Sequence, residues 1–193
     1  DGNVYPIVKI AGMYWIKENL KTTHFNNGDQ IEELALDSLW EYTNLGEIPA
    51  WCYYNQNPTY NNDYGKLYNW YAVNDSRNLC PVGWHVSSRF EWMSMVDNLG
   101  GASIAGGKLK ETGTLHWDSP NIDASDSSGF SGLPGGERGF GFSGFGELGK
   151  WWTSDEYNTT TAKNYFISNY DAYASPDIDS KILGLSVRCV RDF

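Results

Sequence analysis

CPVGWHVSSRFEW, residues 80–92, decides how the rest of the chain is read. Pro81 and Gly83 punctuate a turn. Residues 84–86 follow as a short strand, and a helix starts directly behind them. Ser88 and Glu91 have capping-box spacing: the serine hydroxyl accepts from the first free backbone N–H groups, and the glutamate reaches back to the serine N–H. Phe90, Met93, Val96 and Leu99 then recur at helical spacing, with Trp92 and Met95 widening the apolar face. Gly100 and Gly101 end the helix. Cys80 stands just ahead of all this.

Working outward, Leu67, Trp70, Tyr71 and Asn74 in YGKLYNWYAV (64–73) have the spacing of a second, short helix. Residues 50–54 read as a short aromatic strand. Val8, Ile10, Trp15 and Ile16 read as a hairpin turning at Ala11-Gly12. Residues 31–45 settle on no single period and read as loop with one helical turn. Downstream, 101–107 reads as flexible and 108–111 as one more turn. From 112 to 148 periodicity is nearly lost in a run rich in glycine, serine and aspartate, in which Trp117, Phe130, Phe140, Phe142 and Phe145 pin the loop to the body. Residues 150–153, 162–168 and 185–190 read as strands, the last with clean alternation. The expectation is one α+β domain over residues 1–193, with two helices packed on a small antiparallel sheet and long irregular loops.

The totals narrow the function. A formal net charge of -10 disfavours nucleic acid or an anionic membrane surface as partner and is compatible with glycans, proteins or cations. Aromatic residues make 16% of the chain, too many for a disordered segment. No apolar run is long enough to cross a bilayer. The chain begins at Asp1, which reads as mature or trimmed, so a missing leader says little about export. Three cysteines, Cys52, Cys80 and Cys189, have neither zinc-knuckle nor CxxC spacing. A Cys80–Cys189 bridge would close most of the chain and contribute roughly 4–5 kcal/mol by loop-closure entropy. Three buried free thiols are the alternative.

Several stretches, in order, resemble the Fibrobacter succinogenes major paralogous domain family: KIAGMYWIKENL (9–20), YGKLYNWYAV (64–73), NLCPVGWHVSSRFEW (78–92), AGGKLKETG (105–113), SGFSGLPGGERG (128–139), KWWTSDE (150–156) and GLSVRCVRD (184–192). The resemblance implies a layout similar to C-type-lectin-like domains and formylglycine-generating enzymes. It implies an extracytoplasmic protein, secreted or associated with the cell surface or outer membrane, with adhesion or polysaccharide binding as its role. It also supports the Cys80–Cys189 bridge. The chain departs from true C-type lectins in lacking Glu-Pro-Asn, Gln-Pro-Asp and Trp-Asn-Asp, so their calcium-dependent sugar site does not carry over. The reactive cysteine pair of formylglycine-generating enzymes is missing too.

No catalytic motif stands out. His24, His85 and His116 are isolated, and His85 reads as a hydrogen-bonded boundary residue. Glu137 and Arg138 read as a structural ion pair. Glycosidic acid/base work needs two carboxyl groups about 5–10 Å apart, and Asp118, Asp123, Asp126, Asp155 and Glu156 are the candidates, although acidic loops usually face water. Calcium, as a structural ion, would need oxygens from Asp118, Asn121, Asp123 and Asp126, or from Asp171, Asp177 and Asp179; no other cofactor is indicated. Glycan binding needs aromatic platforms with amide and carboxylate neighbours. Neighbours in a strand point to opposite faces, so one of Trp151 and Trp152 is expected to be exposed or loop-covered unless both faces are buried. The expected function is a non-catalytic, exported binding module for carbohydrate or a cell-surface protein, with Trp117, Asp118, Asn121, Trp152 and Tyr157 as ligand-binding residues. The tyrosine-rich 53–64 loop is an alternative surface suited to protein contact.

Overall fold

The capping box forms as its spacing predicts: Ser88 N donates to Glu91 Oε2 at 2.7 Å, and Glu91 N donates to Ser88 Oγ at 3.3 Å. The structure is a computed structural model that describes residues 1–192. Its first half contains β1 (Ile7–Ile10), β2 (Met13–Ile16), β3 (Glu32–Glu33), α1 (Asp37–Gly46), β4 (Ala50–Cys52), α2 (Asn61–Tyr64), β5 (Leu67–Tyr68) and α3 (Trp70–Val73). Then come β6 (Trp84–Val86), α4 (Arg89–Asn98) and α5 (Ala102–Leu109). Last are β7 (Gly135–Arg138), β8 (Phe142–Phe145), β9 (Leu148–Glu156), β10 (Thr161–Ser168), β11 (Ala174–Ser180) and β12 (Cys189–Arg191).

This corrects the expected lectin-like plan of two helices on one small antiparallel sheet. The described residues form five α-helices and four separate sheets, ordered β1-β2-β12-β6, β11-β10-β9, β3-β4-β5 and β7-β8. The β3–β4 pair is parallel. Two of the missed helices have physical reasons. In α1 the repeating apolar residues Leu39, Tyr42 and Leu45 face solvent, and among the described residues only Trp40 and Thr43 are buried, so no core-facing period shows. In α5 the Gly106-Gly107 pair looks like a breaker. A Cβ on Gly106 would stand 2.1 Å from Tyr173 O, and one on Gly107 2.5 Å from Asp123 O, so the pair lets the helix lie against neighbouring backbone.

The β1–β2 hairpin turns at Ala11 and Gly12, both at positive φ, with Ile10 opposite Met13. In α4 the buried face is Glu91, Trp92, Met95 and Val96, while Phe90 and Met93 are exposed. The apolar stripe was therefore expected on a face rotated from the true one. Cys80 and Cys189 are joined, with Cα atoms 6.0 Å apart, which ties the segment before β6 to β12. Cys52 is free and buried, and burial pushes its thiol up to about 11.

Two apolar cores flank the β9–β10–β11 sheet. Trp152 packs with Tyr68, Trp70, Leu185 and Val187 on one face. Trp151 packs with Trp15, Trp92, Phe130 and Tyr165 on the other. Both faces are covered, so neither tryptophan is exposed. Each indole also closes a long-range hydrogen bond, Trp152 Nε1 to Tyr68 O and Trp151 Nε1 to Asn19 Oδ1, both at 2.8 Å. Glu137 and Arg138 do not pair with each other, because strand neighbours face opposite ways. Glu137 takes Lys150 at 3.0 Å and the buried Arg138 takes Asp37 at 3.0 Å.

Candidate functional site

The five residues expected to bind ligand do not share one surface. Trp117 and Trp152 are core side chains that offer no ring face to a ligand. Trp117 Nε1 donates to Gly132 O at 3.0 Å. Asn121 is buried at φ 44°, and its Nδ2 pins the loop by donating to Glu111 O and Gly113 O at 3.0 and 2.7 Å. Only Asp118 and Tyr157 are exposed, and they lie off opposite ends of β9. Asp118 N donates to Gly146 O at 2.7 Å, just before β9, whereas Tyr157 follows its last residue. A nine-residue strand is about 30 Å long.

Asp118 borders a cluster of rings in which Tyr54, Tyr60 and Phe145 are half-exposed and Tyr64 is buried. Phe145, at the end of β8, lies 4.6 Å from Tyr64, 4.8 Å from Tyr60 and 4.7 Å from Tyr54 between centroids. Tyr64 also meets the His116 ring edge-on at 5.5 Å. Local chemistry places these residues: Asn57 caps a 3-10 turn at 58–60 by accepting from Thr59 N, and α2 follows at once and delivers Tyr64. His116 Nδ1 and Glu111 Oε2 are 2.7 Å apart. Burial pushes the Tyr64 phenol up to about 12, with the Asp63 and Glu111 carboxylates adding to it. Its hydroxyl therefore stays protonated and able to donate.

Asp63, Glu111 and His116 also line a cavity of about 320 Å³, which continues past Lys17, Glu18 and Ser131. Arg188 lies at its floor, fully buried. Its guanidinium donates only to neutral acceptors: Asn19 Oδ1 at 2.8 Å, Phe130 O at 3.0 Å, and the carbonyls of Ile16, Lys17 and Ser131. Burial pulls its pKa down to about 9. It is the hub that holds β2, the 130–131 segment and β12 behind the cavity. A larger cavity, about 490 Å³, lies elsewhere, with one wall built from Asp1, Gly2 and Asn3.

The acidic loops are braced by hydrogen bonds and ion pairs within the chain. Among the described residues no three His, Cys, Asp or Glu side chains gather as metal ligands. Asn121, Asp123 and Asp126 all sit at positive φ, a conformation Asn and Asp tolerate best among side-chain-bearing residues. Asp126 accepts from Ser131 N and Oγ at 2.7 and 2.6 Å. Lys150 takes Asp179 at 2.5 Å and Asp177 at 3.6 Å. Between the two loops the buried Lys110 ammonium donates to the carbonyls of Ile122, Ser168 and Asp171 at 2.8, 2.8 and 2.7 Å. A cation does bind these loops together, and it belongs to the chain itself. Of the candidate acid/base carboxylates, Asp155 accepts from Arg89 N and Glu156 pairs with Lys181.

The Fibrobacter succinogenes major domain matches residues 8–191. The chain belongs to that family. No curated protein and no solved structure matches it. The aromatic cluster lies wholly inside the family region, whereas the wall of the 490 Å³ cavity formed by Asp1, Gly2 and Asn3 precedes it. Of the cluster residues, Tyr54, Tyr60 and Tyr64 carried a sequence signal, as the tyrosine-rich loop. Phe145 read only as a pin, and His116 and Glu111 gave no sign of pairing.

Proposed function

We propose that this chain is a non-catalytic binding module for carbohydrate, and that the ligand lies against the ring cluster of Tyr54, Tyr60, Tyr64 and Phe145 beside the 320 Å³ cavity. The observation that carries this reading is the juxtaposition of those rings with Asp63, Glu111, His116 and Asp118. Sugar rings stack their apolar C–H faces on aromatic side chains, and carboxylates accept from their hydroxyls. The Cys80–Cys189 bridge supports an oxidising, extracytoplasmic setting, secreted or at the cell surface. Among the described residues no helix is long and apolar enough to cross a membrane.

The test is a glycan array and polysaccharide pulldown with the wild type and Tyr60→Ala. Tyr60 is half-exposed, so its loss leaves the core intact. Retention on a glycan that falls at least about tenfold in the variant fits a hot-spot aromatic. A folded wild type retained by no glycan sinks the reading. A protein-contact module is the second reading, favoured by the exposed Leu36, Leu39, Tyr42 and Leu45 along α1. In that case Leu39→Glu with Leu45→Glu abolishes partner capture and leaves glycan retention untouched.

A further inference from the structure

We propose that the chain carries a second binding site, for an acidic sugar, in the groove at the outer end of the β9–β10–β11 sheet. The sugar carboxylate sits between Arg89 and Lys163, and its ring lies on Tyr157. This groove, about 310 Å³, is lined by Arg89, Tyr157, Lys163, Pro176, Asp177 and Ile178.

The fold leaves this place open for a definite reason. Lys163 stands opposite Ile178, and Tyr165 opposite Pro176, in the β10–β11 register. Alternation puts Lys163 and Tyr165 on the same sheet face. Helix α4 covers the inner part of that face by stacking Trp92 on Tyr165, with centroids 5.1 Å apart and planes 9° apart. The helix begins at Arg89, so beyond it the face is uncovered. Tyr157, in the β9–β10 turn, is 57% exposed there, and Ile178 is 43% exposed.

Two cationic side chains line this groove in a chain of net charge -10. Among the described residues Arg77, Arg138, Lys150 and Lys181 are each neutralised by a carboxylate. Among the described residues the side chains of Arg89 and Lys163 have no such partner, nor do those of Lys9, Lys17, Lys108 and Arg191, but Arg89 and Lys163 line one groove together with Tyr157. The acids that might quench them are engaged elsewhere. The Asp155 carboxylate takes Arg89 N at 2.6 Å and Glu156 pairs with Lys181, while Asp177, although it is among the lining residues, stands opposite Asn164 and reaches Lys150 at 3.6 Å. Two unpaired cations beside an exposed ring and an isoleucine match a ligand with one apolar face and one carboxylate. A neutral sugar leaves both cations unused. An acidic peptide ordinarily needs a long groove or a free strand edge, and this cavity is at the small end of ligand sites. The site lies off the far end of β9 from the aromatic cluster, so it does not depend on that reading.

The experiment is calorimetric titration of the full chain with α-1,4-tetragalacturonate and, separately, with its methyl ester. Arg89→Gln, Lys163→Gln, Tyr157→Ala and Tyr60→Ala are compared with wild type, each checked for folding by circular dichroism. The acid is expected to bind and the ester to fail. Arg89→Gln and Lys163→Gln each weaken binding about tenfold or more, the size of a charge-assisted hydrogen bond. Tyr157→Ala weakens it as well, Tyr60→Ala leaves it unchanged, and affinity falls with added salt. No binding of the acid, equal binding of acid and ester, or binding indifferent to both charge variants overturns the proposal. So does competition by a hexa-glutamate peptide at equal affinity, which assigns the groove to an acidic protein instead.

Discussion

Opening the Cys80–Cys189 bridge tests how the fold is held. The bridge spans 109 positions, and closing a loop of that length removes denatured-state entropy worth about 5 kcal/mol at 25 °C. Domains of this kind are typically stable by about 5–15 kcal/mol, so reduction removes a third or more of the total. Both sulfurs are buried in the first core among apolar side chains, so two thiols can replace the disulfide with little change to the native packing. The loss is therefore expected in the denatured state. Urea unfolding, followed by tryptophan fluorescence, compares the oxidised chain, the chain held in reductant, and Cys80→Ala with Cys189→Ala. Reduction should lower stability by about 4–5 kcal/mol and raise the m-value, because the open chain exposes more surface on unfolding. The double variant should lose slightly more, since it also removes buried atoms. A loss below about 1 kcal/mol with an unchanged m-value would refute the reasoning, because it means the denatured chain is already compact without the bridge. Thiol titration in denaturant without reductant should find one free thiol, Cys52; three would dispose of the bridge altogether.

Two further outcomes follow from buried charge. Lys110→Met keeps the side-chain length but leaves three buried carbonyls without their donor, and should cost about 3 kcal/mol at roughly 1 kcal/mol each. Burial lowers the Lys110 pKa from 10.5 to about 8, so the unfolded chain holds that proton more tightly. Wild-type stability relative to the Met variant should therefore rise between pH 8 and 10.5, and a flat difference in urea midpoints across that window counts against the mechanism. His85 has the opposite sign. Burial opposes its charge, but Asp192 at 2.7 Å and Glu91 at 2.9 Å outweigh that and raise its pKa above 6.5. Its stabilisation is complete below pH 6.5 and fades as pH climbs through the raised value. The advantage of wild type over His85→Gln should shrink as pH rises above 6.5 through the raised pKa, and an advantage that grows with pH refutes the pairing.

Local chemistry was legible and long-range closure was not. The capping box and the Ala11-Gly12 turn each depend on a few adjacent residues, so spacing alone identified them. Helix α1 was hidden because its repeating apolar residues face water, and α5 because its glycines answer to the backbone at Tyr173 and Asp123, far along the chain. The tryptophan pair shows the limit most clearly. Alternation correctly put Trp151 and Trp152 on opposite faces, but whether either is exposed depends on what covers each face. Residues 68–70 and 185–187 cover one, and α4 covers the other, and no periodicity within 150–153 reports either.

The same logic accounts for the ligand residues. A tryptophan in a glycine-rich loop invites a binding role, yet an indole has one polar atom to satisfy and a large apolar surface to bury. Here Trp117, Trp151 and Trp152 all meet both demands inside the protein, with the N–H on a carbonyl or amide oxygen and the rings in a core. Tyrosine carries its polar atom at the far tip of the ring, so it can lie at a boundary with its body packed and its hydroxyl wet. That difference accounts for these three tryptophans being part of the scaffold, whereas the buried Trp15 Nε1 has no hydrogen-bond partner among the described residues. The difference also fits the boundary positions of Tyr54 and Tyr60 at one end of β9 and of Tyr157 at the other.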